Sequence, residues 1–450
     1  MVICALEYRY GSEEMRCIVS RENFVRKLIE VEIALLGALA DAGLAPRHCE
    51  EIVKRCASNI DPKDVDRLEQ SIGHDIAALA ILMAERCGEC GKYVHLGATS
   101  YDIVDTAWSL VLREALSLIK RRLASIIEKL ATLADRHRHT LMVGRTHGQH
   151  ALPITLGFKF ANYVYELSRS LERLIECEKR VIRAKISGAV GTMAAWGSKG
   201  FVVEQGVCRR LGLDPHIIST QVAPRDGFAE LASVLAILAS QLDRFAIEVR
   251  ELSRPEIDEL VEGVERVGSS TMPHKRNPVI SERISSLAKV MRSLVIATLE
   301  NVPLWHERDL SNSAAERIVI PHMLLVMDQM LLDFEKLLNV LKAKPENMVK
   351  NLEVTRGLIA SECLMIKLVE RGYPRHEAHA LLMKLSKRVY EEGKHFREVV
   401  SEALRNVLSD EDVDACFDYS RYLGMANELI DRAIDYARKI LENVRSGAPT

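Results

Sequence analysis

The densest grouping of reactive side chains in the sequence runs Gly268-Ser269-Ser270-Thr271-Met272-Pro273-His274-Lys275-Arg276-Asn277-Pro278. Small residues and hydroxyls come first, then a cluster of cations. Gly268 and the two serines suit a loop that presents hydroxyls. Asn277 and Pro278 read as the N-cap and first residue of a helix continuing through Val279 and Ile280. Lys275, Arg276 and the free N–H groups of that helix gather positive potential where an anion could sit. A hydroxyl in such a field loses its proton more easily than one in water, so a serine could serve as a base. The bland reading is a solvated loop ahead of a capped helix. A phosphate-binding P-loop is excluded, because no Gly-Lys-Ser/Thr follows a spaced Gly.

Further polar stretches interrupt an otherwise helical pattern. Arg9-Tyr10 stands near the start and says little alone. His74-Asp75 sits between Gly73 and the apolar run from Ile76. His95 precedes Thr99-Ser100-Tyr101-Asp102, with Asp105 and Thr106 one turn on. Paired hydroxyls at a helix start can be caps, or can grip a carboxylate or phosphate through the same N–H groups. Arg145-Thr146-His147-Gly148-Gln149-His150 offers two imidazoles. No His-Glu-x-x-His helix or acidic third ligand accompanies them, so no metal is assigned. Trp305-His306-Glu307-Arg308-Asp309, followed by Ser313 and Arg317, carries more charge beside a tryptophan than a linker needs.

These stretches need rigid elements to position them. Leu112, Leu116, Ile119, Leu123, Ile126, Leu130 and Leu133 alternate spacings of four and three, a heptad seam. Lys120, Arg121, Arg122, Glu128 and Lys129 fall off that seam and are expected in water. Comparable amphipathic segments run over 158–184, 228–252, 279–300 and 314–341, and a helical pattern runs over 13–45. Aromatic residues make up only 5%, and strand-like alternation is nearly absent. Such helices bury their stripes only against one another, so the expected class is all-α with a long central bundle. The expected domains are a helical unit at 1–101, the bundle with its reactive loop at 102–349, and shorter helices at 350–450. Surplus apolar seam on helices this long usually pairs with other subunits.

The 450 residues carry 61 basic and 63 acidic side chains, a net charge of −2. Nothing global therefore points to nucleic acid or a membrane surface. The N-terminus lacks a secretory pattern and no apolar run reaches membrane-span length, so a soluble cytoplasmic protein is expected. Ten cysteines in that compartment usually act as small buried hydrophobes. Cys87-Gly88-Glu89-Cys90 is a lone C-x-x-C, weak evidence for zinc or redox chemistry. Scarce Gln and abundant charge resemble a thermophile's composition, in which intracellular disulfides become plausible.

Taken together, Thr99-Ser100, Thr146-His147 and the 268–278 stretch resemble, in order and spacing, three separated regions of the fumarase/aspartase superfamily. Met272-Pro273-His274-Lys275, Trp305-His306-Glu307-Arg308-Asp309, Arg9-Tyr10, His74-Asp75 and Cys416-Phe417-Asp418-Tyr419 resemble its adenylosuccinate lyase family. The resemblance spans essentially the whole chain. It implies β-elimination of fumarate from succinylated purine nucleotides or their precursor, with no cofactor, in a homotetramer whose sites are shared between subunits. It assigns Ser269 as base, with Ser270 the alternative, and His147 as acid hydrogen-bonded by Glu282. Lys275 and Asn277 would hold the succinyl carboxylates and the developing charge. His74 and His95 would bind phosphate or help place the leaving group. Asp75, Thr99, Ser100, Thr146, Gln221 and Met272 would add contacts, and Arg9, Tyr10, Arg308, Ser313 and Arg317 would hold the nucleotide. Alternatives are a 3-carboxymuconate cycloisomerase, an argininosuccinate lyase, or a non-catalytic structural helical protein on the same scaffold.

Overall fold

Leu112, Leu116, Ile119, Leu123, Ile126 and Leu130 lie wholly out of solvent along the Ser100–Arg136 helix, as their spacing requires. The computed structural model, which describes residues 4–263, 272 and 274–446, closes a ring of five helices around that seam. Ser100–Arg136 packs on Leu156–Val181, then Asp226–Leu252, Val279–Glu300 and Ser313–Val340, which returns to the first. Phe245 sits inside the ring with Tyr163 edge-on at 5.0 Å and Phe334 at 4.9 Å between centroids. Few aromatics are present, and these three meet in the core of the bundle.

A second core joins Arg21–Asp41, His48–Ala57 and Asp75–Arg86 to the first turns of Ser100–Arg136 and to Gly200–Leu211. A third is built from shorter helices between Leu352 and Tyr419. The last helix, Ala426–Ser446, sends Ile430, Ala437 and Ile440 into the bundle core rather than into that third one. Sequence position alone hid this, because an amphipathic helix does not announce its partner.

Several local expectations are corrected. The 13–45 pattern is two helices, Glu13–Ile18 and Arg21–Asp41, because the Ser20 side chain accepts from Asn23 N and starts a new one. Pro278 stands at the cap position and the helix begins at Val279. Arg122 does not stay in water. It reaches the wholly buried Asp328 at 2.7 Å, while Lys129 pairs with Glu335 at 2.7 Å. Charges flanking a heptad seam face the neighbouring helix as well as solvent, and here they staple it. Short strands are present too, the most important being an antiparallel hairpin of Leu141–Thr146 and Gln149–Thr155. Its two-residue turn, His147-Gly148, has φ of 54° and 72°, the mirror-image turn that matches strand twist.

Three disulfides join Cys49–Cys90, Cys56–Cys87 and Cys363–Cys416. The C-x-x-C cysteines thus bond to the His48–Ala57 helix, not to each other. His48, Cys49 and Cys90 have metal-ligand spacing, but the closed bridge occupies both sulfurs. Protein prepared without reductant, denatured and thiol-blocked, should show four reactive thiols, Cys4, Cys17, Cys177 and Cys208. Mass spectrometry that counts ten would remove the bridges, each worth about 2–4 kcal/mol.

Candidate active site

The Ser100–Arg136 helix begins beside a cleft of about 410 Å³. His74, Asp75, Thr99, Ser100, Gln221, Arg308, Ser313 and Arg317, all expected from the sequence, line it together. His74 caps the Asp75–Arg86 helix by accepting from Ala77 N at Nδ1, 3.3 Å. In the neutral ring the proton therefore sits on Nε2, which lies 3.3 Å from Ser100 Oγ and donates to it. Asp75 accepts from Arg317 Nη2 at 3.1 Å, so part of its expected substrate contact is already taken by a neighbouring cation. Arg308 donates to Gln221 Oε1 at 3.0 Å and lies 3.8 Å over the Tyr101 ring. Ser313 accepts from the Tyr101 hydroxyl at 3.1 Å.

Thr99 and Ser100 are held from beneath. The buried Asp102 carboxylate accepts from Thr99 N at 2.8 Å, Ser187 N at 2.8 Å and the Lys185 ammonium at 2.7 Å. Asp105 accepts two bonds from Arg225, at 2.8 and 3.0 Å, and Arg225 also meets Glu316 at 3.0 Å. Burial alone would push Glu316 to bind a proton, and Arg225 opposes it; the net direction is up. Asp105 stands out in the sequence, one turn on from Thr99-Ser100, but its partners in this tier do not. The available signal was two carboxylates, three residues apart on the inner face of a heptad helix, which demand buried partners.

His95 stands apart from that cleft. Its Nδ1 lies 2.6 Å from Glu32, a carboxylate with no exposed surface. Burial lowers its basicity, but the Glu32 charge and hydrogen bond outweigh it, so the pKa is raised. A raised folded-state value means the pair contributes fully below the ordinary histidine range, near 6.5, and is lost as pH rises through the folded value. His95→Gln should therefore destabilise the protein by about 1–3 kcal/mol at pH 6. The gap to the wild type should narrow as pH rises, measured as unfolding midpoints across pH 6–9; a constant gap would remove the charged pair.

The remaining expected residues lie elsewhere. Arg9 is exposed and Tyr10 half-buried, neither lining the cleft. Thr146 and His147 are exposed at the hairpin tip, where His147 holds a left-handed φ uncommon for a non-glycine. Two residues back, Arg145 makes a fork with the buried Glu259 at 2.7 and 2.9 Å, fixing the hairpin root. Met272, Lys275 and Glu282 are exposed and Asn277 half-buried ahead of or within the first turn of Val279–Glu300. That helix start is not free, as the sequence reading supposed. Glu262 accepts from Ile280 N at 3.1 Å and Ser281 N at 2.8 Å, so a protein carboxylate already occupies those donors. Ser269 and Ser270 lie outside the described residues.

Ser100 opens the Ser100–Arg136 helix, whereas His147 lies at the tip of the hairpin that follows that helix's far end. The helix's 37 residues span about 55 Å at 1.5 Å per residue. The six-residue strand Leu141–Thr146 reaches back about 20 Å at most. A larger cleft, about 990 Å³, lies near Arg16, Arg113 and Arg121. Those three cations are already taken by Gly11 O, Leu211 O and Glu14, and the cleft holds none of the expected residues.

A general lyase family model matches residues 7–292, and a model described as the adenylosuccinate lyase C-terminus matches residues 357–433. Adenylosuccinate lyase of Pyrococcus abyssi is 43% identical over 446 residues, covering 98% of this chain and 99% of that one. The chain belongs to the adenylosuccinate lyase family. The family's enzyme from Bacillus subtilis is 38% identical over 94% of this chain and 98% of its own. Among solved structures, a fumarate lyase from Mesorhizobium sp. BNC1 superposes with a TM-score of 0.88 at 31% identity, over 94% of this chain and 98% of that one. A 3-carboxy-cis,cis-muconate lactonizing enzyme from Pseudomonas putida matches at 0.88 and 31%, over 97% and 99%. The adenylosuccinate lyase family thus shares its scaffold with a ring-closing enzyme, and site chemistry must separate them.

Proposed function

We infer that this chain is a C–N lyase that eliminates fumarate from adenylosuccinate to give AMP, and likewise from the succinylated aminoimidazole carboxamide ribotide. The observation that carries the reading is the cleft, in which Arg308, Arg317, Ser313 and His74 converge, in a chain alike to adenylosuccinate lyases from end to end. Guanidinium groups, hydroxyls and an imidazole at one helix start suit a nucleotide phosphate.

The chemistry follows from the residue types. Ser269, or Ser270, takes the proton from the succinyl carbon beside a carboxylate. The C–N bond breaks, its electron pair leaves with nitrogen, and His147 delivers a proton there. Glu282 would orient that imidazole. Lys275 and Asn277 would stabilise the charge that builds on the carboxylate; since Glu262 occupies the neighbouring helix N–H groups, the lysine carries more of this task. Arg9, Tyr10, Thr146 and Met272 would complete the substrate's surroundings, and no cofactor enters.

One chain cannot assemble this set if a helix about 55 Å long separates Ser100 from the hairpin of His147. The reading therefore includes a homotetramer whose bundles pack together and whose sites draw on three chains. Purine nucleotides are made in the cytoplasm, which is the compartment proposed. The test is spectrophotometric. Adding adenylosuccinate should give the ultraviolet change of its conversion to AMP. An unchanged spectrum would overturn the reading, and turnover of a carboxymuconate instead would favour ring closure.

A further inference from the structure

Tyr101 is 8% exposed, yet it touches two of the cleft's expected binding groups, Arg308 and Ser313. The Arg308 guanidinium lies 3.8 Å from its ring centroid, stacking distance rather than glancing contact. Its hydroxyl donates to Ser313 Oγ at 3.1 Å. A second guanidinium, Arg225, lies 5.5 Å from the same ring, and it is neutralised by Asp105 and Glu316. The ring projects from the first turn of a helix whose start is tied down through Asp102.

Arg308 needs such a support. It follows Trp305 and His306, which are exposed, and His306 adopts a left-handed φ of 51°. The stretch 301–312 has no regular secondary structure, so local backbone does little to aim the side chain. One guanidinium nitrogen bonds Gln221, while the buried Nε has no hydrogen-bond partner. A buried donor without a partner is costly, so hydrogen bonding alone does not hold this guanidinium and the Tyr101 face takes a larger share of that task. The π-face sets the plane of the fork, and the plane decides whether two donors can reach one phosphate together.

We propose that Tyr101 is a positioning residue for phosphate recognition: its ring fixes the plane of Arg308 and its hydroxyl fixes Ser313, presenting both to the phosphate of the nucleotide substrate. This rests on the reading above, and it predicts a division of labour within one side chain. Tyr101→Phe keeps the ring and loses only the Ser313 bond. Tyr101→Leu loses both.

The experiment measures AMP binding by calorimetry, and kcat and KM with adenylosuccinate, for wild type, both variants, Ser313→Ala and the Tyr101→Phe/Ser313→Ala pair. Tyr101→Leu should weaken AMP binding and raise KM by about tenfold or more. Its kcat should stay within about threefold, since the phosphate is bound alike in ground and transition states. Tyr101→Phe should cost about threefold, and the double variant hardly more than Ser313→Ala alone. Should Tyr101→Leu fail to fold, the near-isosteric Phe variant and its cycle still decide the hydroxyl's role. AMP binding that is unchanged in Tyr101→Leu, additive effects in the cycle, or a fall in kcat at constant KM would each overturn the proposal. Wild-type protein that neither binds AMP nor turns over adenylosuccinate would instead overturn the functional reading, and this inference with it.

Discussion

If the proposed shared-site tetramer holds, assemblies reassembled from a mixture of Ser269→Ala and His147→Gln chains are expected to regain activity that neither variant shows alone. Removing the proposed base or the proposed acid acts on the transition state, so each single variant should lose kcat by about a hundredfold or more while still binding AMP. The recovery depends on where the two residues come from. His147 projects from a hairpin tip at one end of the bundle, while the cleft with Ser100 and His74 opens at the other. If three chains build each site, random mixing at equal ratio gives about a quarter of the sites both intact residues. Mass spectrometry must show that the assemblies are mixed. Mixed assemblies that stay inactive at every ratio would end the shared-site model, as would a monomer that turns over substrate.

Lys185→Met is expected to be the most destabilising single change near the cleft, by about 3–5 kcal/mol. Lys185 has no exposed side-chain surface and bonds Asp102 at 2.7 Å and Gly188 O at 3.0 Å. Burial lowers its pKa, and Asp102 only partly opposes that. Without the ammonium, Asp102 is left as a buried charge supported by backbone N–H groups alone. Adding Asp102→Asn removes that charge, so the double variant should be more stable than the sum of the two single changes predicts. Guanidinium unfolding of the four proteins measures this. Additive effects would mean that the ammonium and carboxylate do not depend on each other.

The heptad seam was readable because Leu112 to Leu130 repeat every three or four residues, and such periodicity survives without knowledge of partners. The cleft residues His74, Ser100, Gln221, Arg308, Ser313 and Arg317 were readable as polar interruptions of helical pattern and through family resemblance. What escaped depended on three dimensions. The hairpin around His147 is hard to read because strands of six and seven residues, the second with a proline, joined by a His-Gly turn carry weak alternation. Tyr101 was passed over because a buried aromatic at a helix start looks like core until Arg308 is seen on its face. Glu262 gave no sign that it would occupy the N–H groups of a helix eighteen residues away. The destination of the last helix was equally silent, since Ile430 and Ile440 fit any apolar surface.

The placement of Cys49 and Cys56 on a single helix, opposite Cys87 and Cys90, also governs how the oxidised chain can go wrong. Seven residues along a helix separate two thiols by about 10.5 Å, beyond the reach of a disulfide. Once that helix forms, Cys49 and Cys56 cannot join each other. A Cys87–Cys90 bond would strand both of them unpaired. The native nesting, with one loop closed inside the other, is thus favoured over that local mispairing by a stretch of secondary structure containing no catalytic residue at all.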